Sequence, residues 1–185
     1  WCYMPSPVAA EAMAMLDWDL LTIDMQHGLV GYQDVVAMLP AIEAAGAGAM
    51  VRVPWNDPGT VMKVLDAGAI GVICPMINNR EECTRFVEAC RYAPDGYRSF
   101  GPTRAIWYNG ADYYKHANDS VITFAMIETK KAVEDLDNIL SVPGLDAIYV
   151  GPADLAITYG VEPSGTPDNP VVVDAIKQIV AGAKK

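Results

Sequence analysis

Residues 49–74 read AMVRVPWNDPGTVMKVLDAGAIGVIC, and the fold turns on this stretch. Ala49-Met50-Val51-Arg52-Val53 and Gly71-Val72-Ile73-Cys74 are short, rich in β-branched residues and nearly continuous in apolar character, as strands buried on both faces are. Between them, Asp57-Pro58 sets a capping side chain before a proline at the first helical position, where the missing N–H is harmless. A strand, a helix and a second strand in this order form one βα unit of a parallel sheet.

The same alternation continues on both sides. Trp1 to Met4, Leu20 to Asp24, Ile122 to Glu128 and Ala147 to Val150 read as further strands. Helix starts are marked by Ser6-Pro7, by Asn169-Pro170, by Asn79 with Glu82 three residues on, and by Thr129 ahead of the stripe Val133, Leu136, Leu140. Pro40 falls inside the helical segment Asp34 to Ala45 and predicts a kink there. No G-x-G-x-x-G and no G-x-x-x-x-G-K-[ST] follows any strand, so the phosphate signatures of an open doubly wound sheet are missing. The expected fold is therefore α/β, a (β/α)8 TIM barrel. Such a barrel takes about 250 residues and eight strands. The 185 residues then hold about six of the eight βα units as a single partial domain, 1–185. With Trp1 standing first instead of a Met, the chain reads as a piece of a longer one.

Composition removes several functions. A 52% hydrophobic, 19% charged chain supports a full core and is no disordered segment. Thirteen Lys and Arg against 23 Asp and Glu, a formal charge of −10, offer nothing to a phosphate backbone, so nucleic acid is not expected as a partner. The longest apolar run, Ala67 to Ile77, stops at Asp66 and Asn78, short of the ~18 to 20 residues of a membrane span. Cys2, Cys74, Cys83 and Cys90 show no zinc-ligand spacing and read as reduced thiols in a cytoplasmic setting.

Polar residues gather at the carboxyl ends of the predicted strands: Asp24 with His27, Arg52, Glu128, and Asp154 after Gly151-Pro152-Ala153. In a parallel barrel these ends share one rim, where active sites lie. Glu128 and Asp154 are hard oxygen donors suited to Mg²⁺ or Mn²⁺, with water and substrate completing the shell; equally, they could be solvated acids at helix starts. Asp24, three residues before His27, is placed to orient that imidazole and raise its basicity. Arg52 ends an apolar strand and needs an acid partner, Asp24 or Asp66, or an anionic substrate. The first-turn amides of Ala153 and Asp154 can receive a carboxylate. The connection from Arg91 to Asn118 carries Tyr92, Tyr97, Phe100, Trp107, Tyr108, Tyr113 and Tyr114 with Arg98 and Arg104, and a connection this long is expected to serve function or assembly. His116 lies in it as a surface or interface residue.

These motifs resemble the metal-dependent pyruvate aldolases of the 4-hydroxy-2-oxo-acid aldolase and 2-dehydro-3-deoxyglucarate aldolase group, relatives of the citrate lyase β subunit. The resemblance rests on Leu21 to Gly28, Val51 to Pro54, Leu65 to Ala69, Ile73 to Met76, Arg91 to Pro94, Gly96 to Gly101, Met126 to Thr129 and Gly151 to Leu155, which run in family order. It implies aldol cleavage of a 4-hydroxy-2-oxo acid to pyruvate or hydroxypyruvate and an aldehyde, through an enolate stabilised by Mg²⁺, Mn²⁺ or Co²⁺. In that reading Glu128 and Asp154 bind the metal, His27 with Asp24 is the base, Arg52 holds the oxo oxygen, and Gly151, Ala153, Asp154 and Met126 line the substrate site. Asp66 reaches a neighbouring subunit's site in a homo-oligomer, typically a hexamer. No lysine ends a strand, which argues against Schiff-base chemistry. Two positions depart from the family, Gln26 for glutamate and Met126 for glutamine, both near the metal and its waters. The alternatives are a CoA-thioester lyase of the citrate lyase type, for which no basic cluster is present, and a non-catalytic fragment or assembly module.

Overall fold

The computed structural model describes residues 1–184. Five strands form one parallel sheet: β1 (Leu20–Asp24), β2 (Gly48–Arg52), β3 (Gly71–Cys74), β4 (Ile122–Ile127) and β5 (Ala147–Val150). They lie in the order β1-β2-β3-β4-β5. A doubly wound sheet reverses its strand order at a switch point; a barrel wall does not. The sheet also curls. Trp1, beside β1, has its ring 5.3 Å from that of Tyr149 on β5, whereas a flat sheet would hold β1 and β5 about 19 Å apart.

The helices follow the strands: α1 (Pro7–Ala14), α2 (Tyr32–Ala44), α3 (Pro58–Asp66), α4 (Arg80–Cys90), α5 (Ala105–Asn109), α6 (Ala117–Ser120), α7 (Lys130–Glu134), α8 (Leu136–Leu140), α9 (Pro152–Thr158) and α10 (Pro170–Ala183). Every cap expected from the sequence forms. Ser6, Asp57, Asn79, Thr129 and Asn169 accept from Ala9, Thr60, Glu82, Ala132 and Val171. The helix expected after Thr129 divides at Asp135, whose carboxylate turns aside to accept from the Arg80 amide and from Asn138. Pro40 lies inside α2, which runs on past it.

The first predicted strand needs correction. Trp1 to Met4 contributes only a single parallel bridge, Cys2 to Ile23, because the Tyr3 carbonyl leaves the ladder to accept from the Leu29 amide. The structure thus holds five strands and a bridged segment in place of six strands.

Side chains alternate across the sheet. Leu21, Ile23, Val51, Val72, Cys74, Ala125 and Ile127 pack under the helices. On the inner face Met50, Ile73 and Met126 form the core of a second layer, with Leu20, Ile122, Phe124 and Tyr149 around them. Asp24, Arg52 and Glu128 share this parity, so they stand at the carboxyl end of the inner face. All four cysteines are free and buried, and burial pushes the Cys83 and Cys90 thiols up to about 12. No helix among the described residues is long and apolar enough to cross a membrane.

The aromatic connection lies at the opposite end. It is an α-to-β connection, and three arginines fasten it to the amino-terminal side of the sheet. Arg98 pairs with Asp66 at 2.7 Å, Arg104 with Glu43 at 2.6 Å and Arg91 with Asp146 at 3.2 Å. Arg98 lies over Tyr92 and near Tyr113, with a side chain 0% exposed. Breaking a buried pair leaves an uncompensated charge and costs about 3 to 5 kcal/mol; Asp66 keeps 24% exposure, which places Arg98→Ala near the low end, ~3 kcal/mol. Urea unfolding should show that loss, and a change below about 0.5 kcal/mol, the range of ordinary surface substitutions, would contradict the fastening role.

Candidate active site

Asp24 and Arg52 are partners in the register of β1 and β2. The guanidinium donates Nε–H to Asp24 Oδ1 at 2.8 Å and Nη2–H to Oδ2, a two-pronged pair. Asp24 Oδ1 also accepts from the amides of Gln26 at 3.0 Å and His27 at 3.3 Å. Burial pushes the Asp24 carboxyl up, but Arg52 and these two amides outweigh it and hold the group below the usual carboxylate range. Burial likewise acts to lower Arg52, and Asp24 reverses it. The Trp1 ring lies 4.6 Å from the guanidinium. Only Nη1 is left without an oxygen partner; it faces the Met126 sulfur at 3.9 Å, a weak acceptor.

The expected side-chain pairing of Asp24 with His27 is not formed. The acceptor capacity of Asp24 is spent on Arg52 and on backbone amides, so it fixes the Met25 to Gly28 turn and reaches His27 through its N–H instead of its ring. The imidazole is exposed at the rim. Gly28 belongs to the same turn: a Cβ there would stand 2.3 Å from the Asp24 carbonyl.

Glu128 follows β4 and is 2% exposed. Its Oε1 accepts from the Met76 amide at 2.7 Å. A Cβ on Gly151 would stand 2.3 Å from Oε2, so the glycine leaves a cradle for that oxygen. Burial pushes the Glu128 carboxyl up, the Met76 amide and Arg52 pull it partly back, and nearby Asp154 adds to the rise; the net direction is upward. Asp154 lies in the first turn of α9 with Ala153. The first intrahelical donor across this turn is Leu155, to Gly151, which leaves the Ala153 and Asp154 amides pointing out of the helix start.

The donor chemistry fits a hard divalent cation. Asp154 lies near enough to act on the buried Glu128 carboxylate, whose Oε2 sits at the Gly151 cradle. No cluster of three His, Cys, Asp or Glu side chains occurs among the described residues, so such an ion would take its remaining ligands from water or substrate. Asp66 is not at this rim. It ends α3 at the other end of the sheet, paired with Arg98, and burial leaves its carboxyl raised despite that partner. Nothing in Pro75-Met76 marks an amide aimed at Glu128, and the Trp1 ring over the Arg52 guanidinium depends on curvature that periodicity does not carry.

The chain is similar to known proteins over nearly its whole length. The family model described as HpcH/HpaI aldolase/citrate lyase matches residues 1–185. A hydroxypyruvate/pyruvate aldolase of Rhizorhabdus wittichii RW1 is 44% identical over 179 residues, 97% of this chain and 71% of that one. A 4-hydroxy-2-oxo-heptane-1,7-dioate aldolase of Escherichia coli is 36% identical over 183 residues, 97% of this chain and 69% of its own. The crystal structure of an HpcH/HpaI aldolase/citrate lyase family protein from Burkholderia cenocepacia J2315 superposes with a TM-score of 0.91 at 34% identity, covering 100% of this chain and 74% of that one.

Two stability effects of opposite sign follow. Asp24 has a lowered folded value, so its contribution is present above the unfolded carboxylate value near 3.9 and is lost as pH falls through the folded value. Asp24→Ala should cost about 3 to 5 kcal/mol at pH 7 and flatten the acid limb of the stability curve below pH 4; an unchanged acid limb contradicts the pairing. Glu128 has a raised folded value, so ionising it costs stability as pH rises through that value. In metal-free protein Glu128→Gln should therefore raise the unfolding temperature, by ~2 to 4 °C per kcal/mol relieved, and a fall would contradict the burial penalty.

Proposed function

Because the chain belongs to the HpcH/HpaI aldolase/citrate lyase family, we propose that it catalyses reversible aldol cleavage of a 4-hydroxy-2-oxo acid to pyruvate or hydroxypyruvate and an aldehyde. The observation that carries this reading is the meeting of one guanidinium, two carboxylates and two free helix-start amides on one rim. It is supported by the name of the R. wittichii relative, a hydroxypyruvate/pyruvate aldolase.

Glu128 and Asp154 would hold a divalent cation, Mg²⁺, Mn²⁺ or Co²⁺, whose chemistry is to draw electron density from the 2-oxo oxygen. The amides of Ala153 and Asp154, beside Gly151, receive the substrate carboxylate. Arg52 faces the 2-oxo oxygen with Nη1, the donor that Met126 holds weakly. In cleavage the C4 hydroxyl loses its proton and becomes the aldehyde carbonyl as the C3–C4 bond breaks, and the electron pair of that bond passes through C3 to the 2-oxo oxygen; in the aldol direction pyruvate reaches the same enolate by losing a C3 proton. Negative charge grows on that oxygen either way, and a fixed guanidinium then binds the transition state more strongly than the ground state. Asp24 keeps Arg52 from swinging and sets the turn that carries His27. His27, exposed at the rim, takes a proton through a water, from the C4 hydroxyl in cleavage and from C3 of pyruvate in the aldol direction, and delivers it to C3 of the enolate in the first case and to the new C4 alkoxide in the second. The Gln26 amide oxygen, in the same turn, is buried without a partner. The protein acts as a homo-oligomer in the cytoplasm, with Asp66 and the exposed Phe100, Trp107 and Tyr108 of the amino end at contacts between subunits.

With Mg²⁺, Mn²⁺ or Co²⁺, the methyl protons of pyruvate should exchange with solvent deuterium, and EDTA should abolish exchange. Persistence in EDTA, or in Glu128→Ala with Asp154→Ala, would contradict the reading. His27→Ala should lower aldol turnover about 10²- to 10⁴-fold, the usual contribution of a general base, with metal affinity unchanged.

A further inference from the structure

Glu128 is gripped by a closed loop of interactions that the reaction itself does not require. Its Oε1 accepts from the Met76 amide at 2.7 Å. Met76 reaches that position with φ at 55°, the one positive φ of a residue other than glycine among the described residues, a region that side chains rarely occupy. Something must hold the peptide there. The Met76 carbonyl accepts from Asn78 Nδ2 at 2.7 Å. Asn78 Oδ1 accepts from the Thr129 hydroxyl at 2.5 Å, and Thr129 is the residue after Glu128. Thr129 is itself fixed, since its hydroxyl accepts from the Ala132 amide at 3.0 Å as the cap of α7. The Asn78 amide is fixed too, donating to Glu82 Oε2 at 2.8 Å from the first turn of α4.

The loop therefore runs from the Glu128 carboxylate to the Met76 peptide, to the Asn78 side chain, to the Thr129 hydroxyl and back along the chain to Glu128. It spans the carboxyl ends of β3 and β4. Its effect is to commit Oε1 and turn Oε2 toward the Gly151 cradle. We infer that Asn78 and Thr129 are positioning residues for Glu128, holding the left-handed Met76 peptide so that one carboxylate oxygen stays free for a divalent cation. The inference rests on the reading of Glu128 as a cation ligand. Neither side chain touches substrate; both act through the Met76 amide and the Glu128 carboxylate. An outer partner of this kind is worth about 10- to 100-fold in metal affinity.

The test is Mn²⁺ titration of the full chain, followed by water-proton relaxation, with the melting temperature of the metal-free protein recorded alongside. Asn78→Ala should weaken Mn²⁺ binding ten- to a hundredfold while the metal-free protein melts within a few degrees of the parent. Thr129→Val should weaken binding similarly, and Thr129→Ser, which keeps both hydroxyl bonds, should restore it. The Ser rescue separates positioning from folding, since it is read at fixed cap chemistry. Parent-like Mn²⁺ affinity in Asn78→Ala, with Glu128→Gln binding lost, overturns the positioning role alone. Parent-like affinity in Glu128→Gln overturns the ligand reading and this inference with it.

Discussion

Asp24 and Arg52 face each other from neighbouring strands at the mouth of the sheet, and the rest of the rim is arranged around that pair. A guanidinium on the inner face of a sheet is tolerable only with a carboxylate beside it. Parallel register supplies the carboxylate, since Asp24 and Arg52 are partners along β1 and β2. Because Asp24 also receives the Gln26 and His27 amides, the same carboxylate sets the turn that lifts His27 to the rim. A single acid thus fixes the Arg52 guanidinium and the loop that carries His27.

Glu128 is the counterpart. Asp24 is buried and satisfied, whereas Glu128 is buried with one amide for a partner and another acid near it. Sites that bind cations keep such unpaid charge, because the ion supplies the compensation on binding. Gly151 gives up a side chain to make room, and Met76 adopts a backbone conformation that is normally avoided. Local rules are broken on both sides of Glu128.

Much of this could be read in the sequence for physical reasons. Caps are local, so Ser6, Asp57, Asn79, Thr129 and Asn169 announced their helices. Strands buried on both faces are plain apolar runs, and the polar residue that ends each run is visible. What failed was what depends on contacts distant in sequence. Asp24 and His27 are three residues apart, which suggested a side-chain pair; of the two acids open to Arg52, Asp24, 28 residues away, is the one it takes, and the imidazole is left without that carboxylate. Trp1 to Met4 had the composition of a strand, but Tyr3 found its acceptor role with Leu29 and left the ladder. The aromatic connection was open to function or assembly, and its arginines reach acids at the amino end. Spacing alone does not say toward which end of a barrel a connection folds.

In the proposed function Glu128 and Asp154 hold a cation while Arg52, fixed by Asp24, faces the oxo oxygen of a pyruvate-type acid. The most direct measurement is a crystal structure grown with Mn²⁺ and pyruvate, with data collected to reveal the anomalous signal of manganese. The expected map has an anomalous peak touching both carboxylates, with the pyruvate oxo oxygen within hydrogen-bond reach of Arg52 and its carboxylate on the Ala153 and Asp154 amides. A peak that avoids Glu128, or pyruvate bound away from Arg52, would contradict it.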